Sequence, residues 1–204
     1  MSQIALPLAA AGSVPARILV GNDNAAVLAA CERTEDWPFG TAVLFGPPRS
    51  GKSLLARWFV EAGKGQAIDG ADTIDEADLF HKWNRAQESG TPLLLVSNAP
   101  QGDWKIALPD LASRIGAAFH LAIAEPDDVT LAALIGLHAE HRGIVLDETA
   151  TSYLVPRLER SHMSVELLVA AIDRLSLERK QAPTLSIWRD ALEELAGDSR
   201  PRLL

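Results

Sequence analysis

Apolar positions along the chain fall into two patterns. Short unbroken apolar runs at residues 41–45 and 93–96 predict strands buried on both faces, as at the centre of a parallel sheet, and residues 119–123 predict a third buried strand. Residues 17–20 read as a short edge segment, and residues 66–69 as a weak strand. Between these runs the spacing turns helical. Residues 24–33 predict a helix that Asn22 or Asp23 is available to cap. Leu54, Leu55, Trp58 and Phe59 mark a second helix, and residues 75–89 a third, with Leu79, Phe80, Trp83 and Ala86 on one side. Strands alternating with helices predict an α/β domain, a parallel sheet flanked by helices. After Pro126 only helical spacing remains. Leu131, Leu134, Ile135 and His138 begin it; Ala150, Leu154 and Leu158 continue it; Val165, Leu168, Val169, Ile172 and Leu175 mark a third helix, and Ile187, Ala191, Leu192 and Leu195 a fourth. The expected organisation is a tail over residues 1–12, an α/β domain over 13–125, a helical bundle over 126–197 and a short end segment over 198–204.

Composition narrows the function class. With 48% apolar residues in 204, the chain can bury a real core. Its net charge is −8, and the basic residues are scattered among acids, so no direct sequence-specific DNA binding is expected. The single cysteine, Cys31, has no partner for a disulfide. No apolar run is long enough to span a bilayer, and the first residues lack a positively charged leader pattern. A cytoplasmic location is expected.

The strongest motif is Gly46-Pro47-Pro48-Arg49-Ser50-Gly51-Lys52-Ser53, a full match to G-x-x-x-x-G-K-[ST]. It follows a buried strand and precedes an amphipathic helix opening through Leu54, the context such a phosphate loop requires. The glycines let the backbone approach phosphate oxygens, the helix N-terminus favours an anion, Lys52 reaches terminal phosphates and Ser53 can ligate Mg²⁺. A magnesium-side acid is expected at a neighbouring strand end. Asp69 is the candidate, with a plain turn residue before Gly70 as the alternative. Gly70 stands where a hydrolysing ATPase carries a second acid, and Asp72 is three residues beyond Asp69, so weak or no intrinsic hydrolysis is expected. Asn98 follows a buried strand and is either a γ-phosphate contact or part of a turn into Pro100. Arg114 reads either as an arginine aimed at another molecule's nucleotide or as a surface residue paired with Asp110. His138 and His141 lack a third ligand at metal-binding spacing.

On these residues the chain resembles the DnaA-related AAA+ family, and within it the Hda-like regulatory inactivators of DnaA, over nearly its whole length. Residues 21–24, Gly-Asn-Asp-Asn, look like the family's adenine-side motif, which would bring Asn22 and Asn24 to the nucleotide. Residues 46–53 correspond to Walker A, residues 67–69 to a shortened Walker B, Ser97 and Asn98 to sensor 1, and residues 108–114 to the segment bearing the arginine finger, Arg114. The helical bundle resembles the AAA+ lid, and no helix-turn-helix domain follows it. Residues 3–8, Gln-Ile-Ala-Leu-Pro-Leu, look like a clamp-binding hexapeptide, with Gln3, Ile4, Leu6, Pro7 and Leu8 as its contacts. The resemblance implies ADP or ATP with Mg²⁺ as cofactors, the β sliding clamp and DnaA as partners, and self-association as an open question. It implies a regulator that promotes hydrolysis of DnaA-bound ATP. An autonomous ATPase acting in replication and a passive adaptor on clamp or DnaA are the alternatives. Two departures stand out. Glu166 occupies the lid position of the sensor 2 arginine, with Arg160 six residues earlier. The stretch from Lys52 to Asp69 is too short for one strand–helix unit of the family fold.

Overall fold

The structure is a computed structural model that describes residues 2–5 and 17–198. Two compact units follow one another, Met1–Ala124 and Glu125–Leu204.

In the first unit, strands β3 (Thr41–Phe45), β4 (Gln66–Ile68), β5 (Leu93–Val96) and β6 (Phe119–Ala122) form one parallel sheet in the order β4-β5-β3-β6. The unbroken apolar runs of β3 and β5 occupy its centre, and every residue of both is buried, whereas β6, expected as a third buried strand, lies at the sheet's edge and buries only Leu121 of its four residues. Alternate side chains of β3 feed opposite faces. Ala42 and Leu44 pack with Leu55, Ala56 and Phe59, while Val43 and Phe45 pack with Leu79, Trp83, Leu111 and Ile115. The first group meets helices α1 (Ala25–Glu32) and α2 (Lys52–Glu61), the second α3 (Glu76–Ser89) and α4 (Pro109–Ala117). Helices therefore cover both faces, as the run pattern predicts.

Helix α4 is absent from the periodicity reading. Only Leu111 and Ile115 are buried in its nine residues, too few to register as a repeat. Pro109 supplies the start, since its fixed φ suits the first helical turn. The expected cap of α1 also differs. Asn24 is the N-cap residue, and its side chain makes no capping bond because it is engaged elsewhere in the preceding turn.

Strands β1 (Ser2–Ala5) and β2 (Arg17–Val20) form a separate antiparallel pair, with Gln3 opposite Leu19 and Ile4 opposite Ile18. Four residues of the stretch read as a tail are thus strand, their backbone groups pairing with those of β2. Leu6, Pro7 and Leu8 lie outside the described residues.

The second unit is helical: α5 (Asp128–His141), α6 (Glu148–Leu154), α7 (His162–Arg179) and α8 (Leu185–Asp198). Three helices begin on side-chain caps. Asp127 accepts from the Thr130 amide at 2.8 Å, Asp147 from Ala150 at 2.9 Å and Ser161 from Ser164 at 3.0 Å. Their core gathers Leu131, Ile135, Leu154, Leu168, Ile172 and Ile187. Arg174 pairs with Glu194, and Arg179 with Asp190 at 2.6 Å, which sets α7 and α8 antiparallel.

Candidate nucleotide site

Strand β3 delivers the chain to Gly46, and α2 begins at Lys52. The loop between them turns on residues with positive φ, 64° at Arg49 and 85° at Gly51. Gly51 is the N-cap of α2 and holds the left-handed conformation that glycine adopts without strain. At Gly46 the requirement is space. A Cβ there would lie 3.0 Å from Ile123 Cβ and 3.0 Å from Ser50 Oγ. Gly46→Ala is therefore expected to destabilise the first unit by about 1–3 kcal/mol through overpacking. Thermal unfolding of the variant checks this, and an unchanged Tm would contradict it.

Two polar groups are folded into this arch. Lys52 is buried, and its Nζ donates to the carbonyls of Gly46 at 2.8 Å and Pro47 at 3.0 Å. Burial pushes its pKa below the ordinary lysine value, against the opposing pull of the Asp69 and Asp72 carboxylates. Ser50 is also buried, and its hydroxyl finds no hydrogen-bond partner among the described residues. A buried orphan hydroxyl, a lysine ammonium and a helix N-terminus with no acid in its first turn bring several donors to one short loop. Phosphate oxygens fit it: they would accept from the hydroxyl, the ammonium and the amides at the helix start. Ser53 lies exposed in the same first turn.

Asp69 stands exposed immediately after β4, the edge strand, with β5 between it and β3. Its charge nonetheless reaches Lys52. Gly70 follows with φ of 64°, the left-handed conformation that glycine holds without strain, and carries no side chain to act as a second acid. Asp72 does not supply that acid. Its two oxygens accept from the Asn98 amide at 2.9 Å and the Ala99 amide at 3.0 Å, so it fastens the loop after β5. Ser97 is fully buried, and its hydroxyl donates to the Ala99 carbonyl at 3.1 Å. Asn98 is exposed, and its side-chain nitrogen would lie 3.7 Å from a Cβ on Gly70. The ends of β4 and β5 thus form one knot beside the loop.

Asn24 is buried and spends its side chain locally: Oδ1 accepts from the Gly21 amide at 3.0 Å, and Nδ2 donates to the Leu19 carbonyl at 2.8 Å. Its work is to shape the 21–24 turn. Asn22 is exposed on that turn. The Asp23 carbonyl accepts from the Ala124 amide at 3.0 Å, and Ile123, one residue earlier, abuts Gly46, so the turn is anchored next to the phosphate loop.

Arg114 is not paired with Asp110. Its guanidinium lies over the rings of Phe80 at 4.3 Å and Trp83 at 4.2 Å and donates to Asn84 Oδ1. All three partners belong to α3, so the arginine is seated on the neighbouring helix of its own chain. In the helical unit, Arg160 is ion-paired with Asp128 at 2.8 Å. Glu166 sits on α7, where its charge opposes the lowering that burial imposes on His138.

Glu76 was not singled out by sequence. Its oxygens accept from the Ala107 amide at 2.9 Å and the Leu108 amide at 2.7 Å. An acid in the first turn of a helix has a sufficient local reason to be there, so nothing in the sequence marks this second task.

No protein-family model matches the chain. Among solved structures it is similar to domain III of the Thermotoga maritima replication initiation protein DnaA, at 15% identity, TM-score 0.70, over 87% of this chain and 94% of that one. AMPPCP-bound DnaA from Aquifex aeolicus is similar at 15% identity and TM-score 0.59, over 80% of this chain and 66% of that one. The FIGL-1 AAA domain in complex with ADP is similar at 14% identity and TM-score 0.62, over 90% of this chain and 84% of that one. At such identities the likeness is one of fold. A four-stranded parallel sheet flanked by helices, followed in sequence by a helical unit, gives this chain the fold of an AAA+ module of the kind found in DnaA.

Proposed function

We propose that the chain is a DnaA-related AAA+ regulator that binds an adenine nucleotide at residues 46–53 and promotes hydrolysis of ATP held by DnaA. The observation that carries the nucleotide assignment is the arch built by Gly46, Ser50 and Lys52. Its buried hydroxyl has no partner among the described residues, and its ammonium faces carbonyls. ADP or ATP is the ligand, as in the similar structures holding AMPPCP and ADP. Ser53 and Asp69 would hold Mg²⁺, which neutralises phosphate charge when bound. The positive φ at Gly70 supports weak intrinsic hydrolysis, because no second acid follows Asp69. Arg114 would act in trans, its positive charge stabilising phosphoryl transfer in a DnaA-bound ATP. The segment from Gln3 to Leu8 would dock on the β sliding clamp in extended form, with apolar side chains in a pocket. Cytoplasmic location follows from this role.

A passive adaptor is the second reading. One observation favours it: Arg114 is already held by Phe80, Trp83 and Asn84 of its own chain.

Binding to immobilised clamp tests the docking segment. The full chain is expected to bind, and the double variant Gln3→Ala, Leu6→Ala to lose most of that binding while retaining ADP. Point substitutions suit the test better than deletion of residues 1–8, which would also remove β1 from β2. Unchanged clamp affinity in the double variant would refute the assignment.

A further inference from the structure

Two carboxylates four residues apart fasten the two ends of one loop. Asp72 takes the amides of Asn98 and Ala99, directly after β5. Glu76 takes the amides of Ala107 and Leu108, directly before α4. Each uses both oxygens on consecutive N–H groups, at 2.7–3.0 Å, the short geometry of charge-assisted hydrogen bonds. Between these points Trp104, Ile106 and Leu108 pack against the core formed by Leu79, Trp83 and Leu111. The segment from Asn98 to Leu108 is therefore tied at both ends and pressed down between.

The two staples lie on one short piece of chain. It begins at Asp69, at the end of β4, beside β5, whose own end is bonded to β3 two residues before Gly46 by the Ser97 amide donating to the Leu44 carbonyl at 3.0 Å; it then passes through the turn at Gly70, which Thr73 closes by donating to the Gly70 carbonyl at 2.8 Å. It ends in the first turn of α3. Arg114 closes the circuit. It sits on α4, which Glu76 holds at its start, and it rests on Phe80, Trp83 and Asn84, one to two turns along α3 from Glu76. Helices α3 and α4 are thus joined by Glu76 at one end and by Arg114 further along. A movement of the turn at Asp69 cannot leave that pair undisturbed without breaking charge-assisted bonds.

We propose that Asp72 and Glu76 are positioning residues that link the chain's own phosphate loop to Arg114. Asp72 sets Asn98 against the site, and Glu76 sets the start of α4 and so the seat of its arginine. Occupancy at residues 46–53 then fixes how Arg114 is presented. The inference rests on the proposed nucleotide site and on Arg114 as the working arginine, but its test needs neither DnaA nor the clamp.

Hydrogen exchange of the full chain, with and without saturating ADP and Mg²⁺, reads the link directly. In the wild type, exchange is expected to slow at amides 46–55 and also at 98–99 and across 107–117. In Glu76→Gln, which keeps shape but offers one acceptor oxygen, the slowing at 46–55 persists and that at 107–117 is lost. Basal exchange at 107 and 108 becomes roughly tenfold faster. Asp72→Asn loses the response at both 98–99 and 107–117. Slowing confined to 46–55 in the wild type overturns the link while leaving the nucleotide site intact. So does an undiminished response at 107–117 in both variants. Absence of any change at 46–55 overturns the site and the link together. The wild-type arm decides the matter even if a variant fails to fold.

Discussion

Arg114→Ala is expected to remove the stimulation of DnaA-bound ATP hydrolysis, a loss of about 10³-fold or more in the stimulated rate. The size follows from the chemistry. Phosphoryl transfer needs little covalent help, so a guanidinium placed against the developing charge supplies a large share of the acceleration. The same substitution also removes the stack on Phe80 and Trp83 and the bond to Asn84. That part costs roughly 1 kcal/mol of stability, which thermal unfolding reports separately. ADP binding by the variant is expected to equal that of the wild type. Arg114→Lys keeps the charge and loses the planar fork, so it is expected to rescue little. A hydrolysis assay with ATP-loaded DnaA and clamp on DNA separates the two readings. Full stimulation by Arg114→Ala would leave the passive adaptor standing.

Lys52→Ala is expected to weaken ADP binding by about 3 kcal/mol, roughly 100-fold in Kd. Lys52 would bring a charged donor to the terminal phosphates from a buried position, where its interactions are screened less than at the surface. Linkage gives a second readout. A ligand that binds only the folded state at about 100 times its Kd stabilises by about 2.7 kcal/mol, so ADP should raise the wild-type Tm and leave that of Lys52→Ala nearly unmoved. Equal thermal shifts for both proteins would mean that the nucleotide binds elsewhere.

The sheet's centre was legible because β3 and β5 are buried on both faces and so read as unbroken apolar runs. The strand–loop–helix unit around residues 46–53 was legible because an unbroken apolar run, a glycine-bearing stretch and an amphipathic repeat follow one another. Helix α4 was not, since two buried residues, Leu111 and Ile115, do not make a periodic signal. Nor was strand β1, whose pairing with β2 depends on partners 12 to 18 residues away and leaves only a weak local trace. Side-chain tasks were hardest. Asn24 looked available to a ligand, yet its amide closes the turn from Leu19 to Asn24. Asp72 had been weighed as a water-polarising acid and instead fastens Asn98 and Ala99. Arg114 was weighed against Asp110, four residues back on the same helix, while its partners lie about 30 residues away on α3. Spacing reports what one element can do alone. Which backbone amides a carboxylate meets across a fold is settled only by the packing.

Equilibrium binding of ADP with Mg²⁺ to the purified full chain tests the central claim most directly. Saturable uptake of one equivalent, displaced by ATP, is the predicted result. No saturable binding at millimolar ADP would contradict it and leave the Gly46–Ser53 arch a structural turn.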